Sequence, residues 1–316
     1  MKLEIAIILA TYNGEKFIKQ QIESILNQDY KDWFLYISDD CSQDGTLEIL
    51  QSFCSMYPQK MQIINSSIRF GNAKDNFFYL IEQVTGDMIF FSDQDDVWMP
   101  NKISVFLEFY NGISSIEKQR PLLLYSDLYV VNLNMELLSN SVYKYQRLNP
   151  KKNQIGNILV QNCIFGCSMA INKKLKEIFS IKCLNDTDRE KIIMHDWYLA
   201  LIASEFGTIK YINKPLVYYR QHRLNTVGAI NANNINYIKY RLLNFKVILY
   251  DIERTKQQAN VFKKNYLNLL SRKTNEMVMY YSKIRDFSFF FRLFFFFKNH
   301  MLKHGFTRIV MQFLFS

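Results

Sequence analysis

The sequence predicts an α/β fold, a mostly parallel sheet covered by helices and followed by a helical extension, and three observations point there. Through the first hundred residues short apolar runs alternate with longer amphipathic ones. Three of those runs end in polar loops, two of them rich in Asp. From about Asn231 onward the chain turns Lys-rich and helical, without acidic loops.

The elements follow in order. Strands are expected over residues 3–10, 33–38, 61–64 and 87–92. Between them, Glu15–Asn27 sets Phe17, Ile18, Ile22, Ile25 and Leu26 near a 3.6-residue period, and Thr46–Met56 does the same with Leu47, Ile49, Leu50 and Phe53, so both read as crossover helices. Leu122–Asp127 is a further strand, residues 133–155 are polar and irregular, and residues 164–171 are another strand with Gly166 at a close approach. A helix begins at His195-Asp196-Trp197, with Asp196 in its first turn, where the helix dipole favours a carboxylate. Lys214–Gln221 is the last expected strand. The boundary is set near residue 228, dividing the chain into a sheet-bearing unit (1–228) and a helical, basic, aromatic extension (229–316).

Composition limits the function classes. With 49% hydrophobic and 22% charged residues in 316, the chain is globular rather than disordered, although 26 Phe and 20 Tyr are an excess. The net charge of +10 suggests a polyanion until it is located. Residues 226–316 hold 15 Lys or Arg against 4 Asp or Glu, leaving 24 basic and 25 acidic residues before them. A basic aromatic tail on a neutral body points to an anionic surface met by the tail; no recognised nucleic-acid motif accompanies it, so nucleic acid is not expected as a partner. The five Cys are unpaired in spacing, which argues against a disulfide framework or a zinc site and for a reducing compartment. Residues 1–10 read as a buried strand rather than a signal peptide, because Glu4 interrupts them and no small-residue cleavage site follows. No run reaches the roughly 18 apolar residues of a spanning helix, so the expected location is cytoplasmic.

In an open parallel sheet ligands bind beyond the carboxyl ends of the strands, and three polar loops would meet there. Asp93-Gln94-Asp95-Asp96 closes the apolar run Met88–Phe91. Three carboxylates within four residues repel one another in a dry setting; a cation would hold them, and hard oxygen ligands suit Mg²⁺ or Mn²⁺. The alternative is a solvated turn capping the helix that starts at Pro100. Asp39-Asp40 ends the second strand, ahead of Ser42 and Asp44 as helix caps. An Asp at such a position commonly meets a nucleobase or a ribose hydroxyl. Thr11-Tyr12-Asn13-Gly14-Glu15 adds an aromatic ring for base stacking and backbone N–H groups at a helix start. Arg69, Asn72 and Lys74, after the third strand, are further candidates to face a nucleotide, with Lys74 equally readable as a solvated helix start.

In this order and spacing, Thr11–Glu15, Gln28, Asp39-Asp40-Cys41-Ser42-Gln43-Asp44-Gly45-Thr46 and Ser92-Asp93-Gln94-Asp95-Asp96-Val97-Trp98 resemble family 2 glycosyltransferases of the GT-A fold, over roughly residues 3–228. With His195-Asp196-Trp197 and Tyr219-Arg220-Gln221-His222 downstream, they resemble the bacterial rhamnosyltransferase-like branch. The resemblance implies that Thr11, Tyr12, Glu15 and Asp39 line the nucleotide with Asp40 close by, and that Asp93 and Asp95 are the D-x-D pair at the ribose and the metal. It implies Asp196 as catalytic base, where many relatives have Glu-Asp and this chain has His-Asp. Cys41 stands where the family usually has Gly.

The implied chemistry is consistent. A departing diphosphate gathers charge that a divalent cation neutralises, and one carboxylate suffices to take the acceptor proton, which means inversion at the anomeric carbon. Asp96 and His222 join the metal candidates, His222 being equally readable as a hydrogen-bonded structural residue. Asn13 belongs with the nucleotide loop. Gln94, Gly166, His195, Trp197, Arg220 and Arg223 are assigned to the donor and acceptor pocket; Trp98 either lines it or packs in the core. The expected partners are a nucleotide-diphosphate sugar, with dTDP-L-rhamnose the candidate donor, and a saccharide or lipid-linked acceptor of a cell-surface polysaccharide. Phe287–Lys298 is too short to span a bilayer and, with the basic residues around it, reads as an anchor on an anionic membrane at its inner face, or as a buried helix or a contact in a homo-oligomer. Two other classes compete: a nucleotidyltransferase, which would need a more Gly-rich and basic first loop, and a non-catalytic subunit, which the intact set of carboxylates disfavours.

Overall fold

The structure, a computed structural model, describes residues 3–181, 184–222, 225, 228–229 and 244–316. Its sheet grows from apolar runs with no polar face. In β1 (Ile5–Thr11) and β4 (Met88–Ser92) every residue is buried, as expected of strands covered on both sides. With β2 (Trp33–Asp39) and β3 (Met61–Asn65) they pair in parallel in the order β3-β2-β1-β4. The crossovers are α1 (Ile18–Leu26), α2 (Thr46–Met56) and α3 (Ala73–Gln83). Register decides what meets at the carboxyl edge: Thr11 lies opposite Asp39, and Leu9 opposite Ser92, so all three polar loops leave the sheet side by side.

Beyond β4 the sheet changes direction. Residues 164–171 were expected to form one strand, but Gly166–Ser168 is a 3₁₀ turn and only β8 (Met169–Asn172) is extended. β8 runs antiparallel between β4 and β6 (Leu122–Val131). β9 (Thr208–Arg220) pairs with β6 in parallel, and its far end meets the two-residue β5 (Val97–Trp98). That last pairing brings the segment after β9 back over the acidic loop. Within residues 133–155 the chain forms the short β7 (Leu137–Ser139) and α6 (Val142–Gln146), then enters α7 (Ile155–Val160). α10 (His195–Phe206) starts at the cleft and is buried along most of its length.

The C-terminal helices pack on this body. In the long helix Phe245–Tyr266, Phe262 sets its ring 6.3 Å from Tyr198 and from Phe206, and Lys264 pairs with Asp188 at 2.9 Å. The next helix, Arg272–Ser282, begins where the Ser271 N–H donates to Glu205 at 2.7 Å. Further along, the Asn299–His300 backbone crosses α7 at Gly156, where a Cβ would lie 1.9 Å from the Asn299 carbonyl oxygen. Gly156→Ala should therefore force these segments apart and cost about 1–3 kcal/mol. Thermal denaturation of the purified variant measures the effect; an unchanged melting temperature would contradict this close approach.

Candidate active site

A cavity of about 670 Å³ opens at the carboxyl edge of β1 and β4, and Thr11, Tyr12, Asp40, Asp93, Asp95 and Asp196 all line it. Its walls come from every polar loop and from the start of α10.

The first two loops are joined by hydrogen bonds, so much of their polarity is spent on each other. Asp39 is fully buried and accepts from Thr11 Oγ1 at 2.8 Å, the Ser42 N–H at 2.8 Å and Ser42 Oγ at 2.6 Å. The Asn13 N–H donates to Ser42 Oγ at 2.9 Å, and Asn13 Oδ1 accepts from the Gln43 N–H at 2.8 Å. Glu15 Oε2 accepts from the Gly45 N–H at 3.1 Å. Asp39, buried, and Asn13 and Glu15, exposed, brace loop to loop at the edge of the cavity and are not among its lining residues. Asp40 does line the cavity; its carboxylate holds the Phe70 and Gly71 N–H groups, and burial raises its pKa.

Gln94 grips Tyr12 on both sides, accepting from its N–H at 2.8 Å and donating to its carbonyl at 2.9 Å. Tyr12 stays 40% exposed, with the Arg69 guanidinium 5.9 Å from its ring. Both face the cavity, an aromatic surface beside a cation. Asn72 also lines it while capping α3 through the Asp75 N–H. Lys74 does not: its ammonium donates to the backbone carbonyls of Arg189 and Ile192, correcting its assignment to the nucleotide.

The acidic loop divides its carboxylates. Asp93 and Asp95 face the cavity, whereas Asp96 is fully buried, turned inward, and accepts from the Arg220 N–H at 3.1 Å. Asp96 is thus displaced from the cavity face expected of a diphosphate-side metal ligand. Asp96 lies beside the Cys167 thiol and shares with Asp93 and Cys167 a cluster whose ligand atoms lie within 4.8 Å of one another among the described residues. Burial first, then the charges of Asp95 and Asp196, push Asp93 up to about 7. Burial with Asp95 and Asp93 raises Asp96 well above the carboxylate range. These are groups that need a proton or a cation. The buried thiol of Cys167 is a soft ligand, so Asp93 and Asp95 fit Mg²⁺ or Mn²⁺ better. His222 Nε2 sits 2.8 Å from Asp95 Oδ2, its ring stacked on Phe17 at 4.7 Å, and can serve the same ion.

Of the remaining pocket residues, Trp98 takes the second of its two readings, Arg220 is placed beside the cavity and Arg223 is not described. Trp98, 2% exposed, is a core residue packed on Phe90. Arg220 lies outside the cavity lining, its guanidinium 5.0 Å from the Phe17 ring and bonded to Gln20. Arg223 falls outside the described residues.

At the opposite wall, Asp196 Oδ2 accepts from the Gly166 N–H at 3.0 Å and Oδ1 from the Trp197 N–H. Burial outweighs both bonds and raises Asp196 to about 7. A Cβ at Gly166 would lie 2.7 Å from His195 Nε2, so a larger residue there would have to displace the imidazole. His195 lines the cavity with its ring 4.1 Å from Phe77, and burial lowers its pKa to about 3, leaving it neutral. Trp197 lines it too, its indole N–H held by the Ile158 carbonyl at 2.6 Å.

Sequence reasoning missed Lys102, Gln146, Leu148, Gln161 and Asn162. Lys102 is fully buried beneath the acidic loop, its ammonium 3.5 Å from the Trp98 ring centroid and donating to the Cys167 carbonyl at 2.8 Å. Burial pulls its pKa down to about 7. In the sequence it looks like any solvated residue in the first turn of α4 (Lys102–Asn111). The other four line the cavity and belong to the irregular stretch and the turn after α7, where no periodicity marks a face.

Comparison with known proteins agrees with this geometry. The family model "Glycosyl transferase family 2" matches residues 6–179. The chain belongs to that family. It is 35% identical to the dTDP-rhamnosyl transferase RfbG of Shigella flexneri over 249 residues, 74% of this chain and 78% of that one. Among solved structures it resembles S. aureus TarS 1-349 in complex with UDP, with a TM-score of 0.55, 14% identity, and coverage of 89% and 87%. It also resembles the mannosyltransferase PcManGT from Pyrobaculum calidifontis in complex with GDP-Man and Mn²⁺, with a TM-score of 0.50, 13% identity, and coverage of 90% and 76%. The fold is therefore GT-A, and the protein is a glycosyltransferase.

A pH dependence follows from the two carboxyl groups raised to about 7. Their unfolded values lie near 4. The folded form holds these protons more tightly, so their stabilisation is complete below about pH 4 and is lost as pH rises through about 7. Without divalent cations the melting temperature should fall between about pH 4 and pH 7 and level off above. Asp196→Asn should remove its own share of that fall and leave the share of Asp93, as differential scanning fluorimetry across the range would measure.

Proposed function

We propose that this glycosyltransferase is an inverting, metal-dependent enzyme that moves L-rhamnose from dTDP-L-rhamnose to a saccharide or lipid-linked saccharide of a cell-surface polysaccharide. The observation behind it is that Asp93 and Asp95 line the same cavity as Asp196, so diphosphate-side and acceptor-side carboxylates share one space. Similarity to RfbG, named for dTDP-rhamnosyl transfer, supports the donor. The Mn²⁺ in the PcManGT complex supports the metal. Four described cysteines, Cys41, Cys54, Cys163 and Cys167, are free, which supports work in the reducing cytoplasm.

In this reading Tyr12 offers its exposed ring to the base, with Arg69 beside it. Asp93, Asp95 and His222 would hold Mn²⁺ or Mg²⁺, whose charge offsets that developing on the leaving diphosphate. Asp196 takes the proton of the acceptor hydroxyl as that oxygen attacks the anomeric carbon from the face opposite the diphosphate. The Gly166 and Trp197 N–H groups fix the orientation of its carboxylate. Gln146, Gln161 and Asn162, with Trp197, give the open side of the cavity amides and an aromatic face suited to a saccharide.

Asp196→Asn should lower kcat by about 10²–10⁴-fold without loss of folding. In the parent enzyme kcat/KM should rise with pH through about 7, as a base at that pKa ionises, and this limb should vanish in the variant. Initial rates of nucleoside diphosphate release across pH test both; full activity in the variant removes Asp196 as base. Asp95→Asn should abolish the rise in melting temperature that Mn²⁺ produces in the parent, together with transfer. A Mn²⁺ shift kept by the variant would move the ion elsewhere.

A further inference from the structure

The helix Phe289–Lys298 has a settled inner face and an unsettled outer one. Ser288 caps it, and Phe295 and Phe296 are buried, their rings 6.0 Å from Tyr280 and 6.3 Å from Tyr281. On the other side Phe290, Phe294 and Phe297 recur at helical spacing and are exposed, Phe290 by 80%. The helix Phe306–Phe315 repeats the pattern with Phe306, Val310 and Leu314, Phe306 being 81% exposed. Phe297 stacks on Phe313 at 5.9 Å, which joins the two stripes into one surface. Six apolar side chains left in water on adjacent helices mark an interaction face rather than scatter.

Charge selects the occupant. From Phe287 to Ser316 there are four Lys or Arg and no Asp or Glu. Lys298 lays its ammonium 5.5 Å from the Phe294 ring, so its stem covers apolar surface while its charge sits at the edge. Aromatic side chains flanked by cations suit a bilayer surface with anionic headgroups. Neither helix spans: no helix among the described residues is long and apolar enough to cross a membrane.

The face is also tied to the cavity. Arg308 donates to the Gln146 carbonyl at 3.0 Å and the Arg147 carbonyl at 3.5 Å. The His304 ring accepts from the Asn149 N–H at 2.8 Å, and the His304 backbone N–H donates to Gln161 Oε1 at 2.8 Å. Gln146, Leu148 and Gln161 line the cavity. We propose that the surface formed by Phe290, Phe294, Phe297, Phe306, Val310 and Leu314 docks on an anionic lipid bilayer, and that the His304 and Arg308 contacts thereby hold the Gln146–Leu148 rim of the cavity at the membrane. This goes beyond the sugar-transfer reading and does not depend on the donor.

The test is flotation of the full chain with phosphatidylcholine vesicles and with vesicles containing phosphatidylglycerol, without donor or acceptor. The chain should float with the anionic vesicles, less at raised salt, and Phe290→Ser/Phe294→Ser/Phe297→Ser should weaken this by more than about tenfold. The substituted positions are exposed, so an unchanged melting temperature certifies the fold. No binding, or binding kept by the triple variant, overturns the proposal. A parent that is dimeric, fails to float, and becomes monomeric on substitution also overturns it, assigning the face to a second copy. Hydrogen exchange on vesicles tests the rim: protection should rise in 289–298, 306–315 and 144–149 but not in 46–65 at the far edge of the sheet, and protection confined to the two helices overturns the rim placement. Transfer activity enters none of these readouts, so their failure is distinct from failure of the proposed reaction.

Discussion

Carboxyl groups gathered in one partly buried cleft cannot all keep their charge, and the organisation of this site follows from that repulsion. Asp93, Asp95 and Asp96 leave β4 within four residues, and Asp196 faces them from α10. The chain relieves the strain in several ways. Asp96 turns inward to the Arg220 N–H, and Asp196 takes two backbone N–H groups. Lys102 contributes a positive charge from below, but its own burial weakens its hold on the proton, so it compensates only in part. What remains is an excess of negative charge turned towards the cavity, the condition under which a divalent cation binds with little competition from the protein's own groups.

The loops at this cleft are braced by hydrogen bonds between their own polar groups. Thr11, Asp39 and Ser42 close one knot across β1 and β2, and Gln94 closes another between the β4 loop and the Tyr12 backbone. A ligand met by such loops requires little reordering, which favours binding. The same economy explains why several polar residues that look like ligand contacts are not at the cavity wall. In a buried setting a carboxylate that braces a loop and one that touches a nucleotide have the same residue type and the same position after a strand.

That ambiguity marks the limit of what the sequence makes legible. The parallel half of the sheet is readable because its strands are unbroken apolar runs and its helices keep a clean 3.6-residue period, so Thr46–Met56 is bounded alike in sequence and structure. The cleft is readable because parallel strands put their carboxyl ends on one edge. Direction beyond β4 is not, since β8 is four residues long and its antiparallel pairing depends on partners far along the chain. Side-chain orientation is the other blind spot. Lys74 and Lys102 sit at helix starts where a cation looks solvated, yet both run inward to backbone carbonyls, and only tertiary packing decides that.

His195 shows how one departure from the family pattern fits the same electrostatic constraint. The resemblance leads one to expect a second acidic residue before the base, which would bring another carboxylate into a cleft already crowded with them. Imidazole pressed between Phe77 and Phe91 and deprived of solvent stays neutral, with its pKa near 3. It fills the wall without adding charge. Burial is then what lifts Asp196 to about 7, opposed by two backbone N–H groups, rather than repulsion from an adjacent acid. As the proposed base, Asp196 would keep this basicity only where the cavity stays dry, since burial is the cause of its raised pKa.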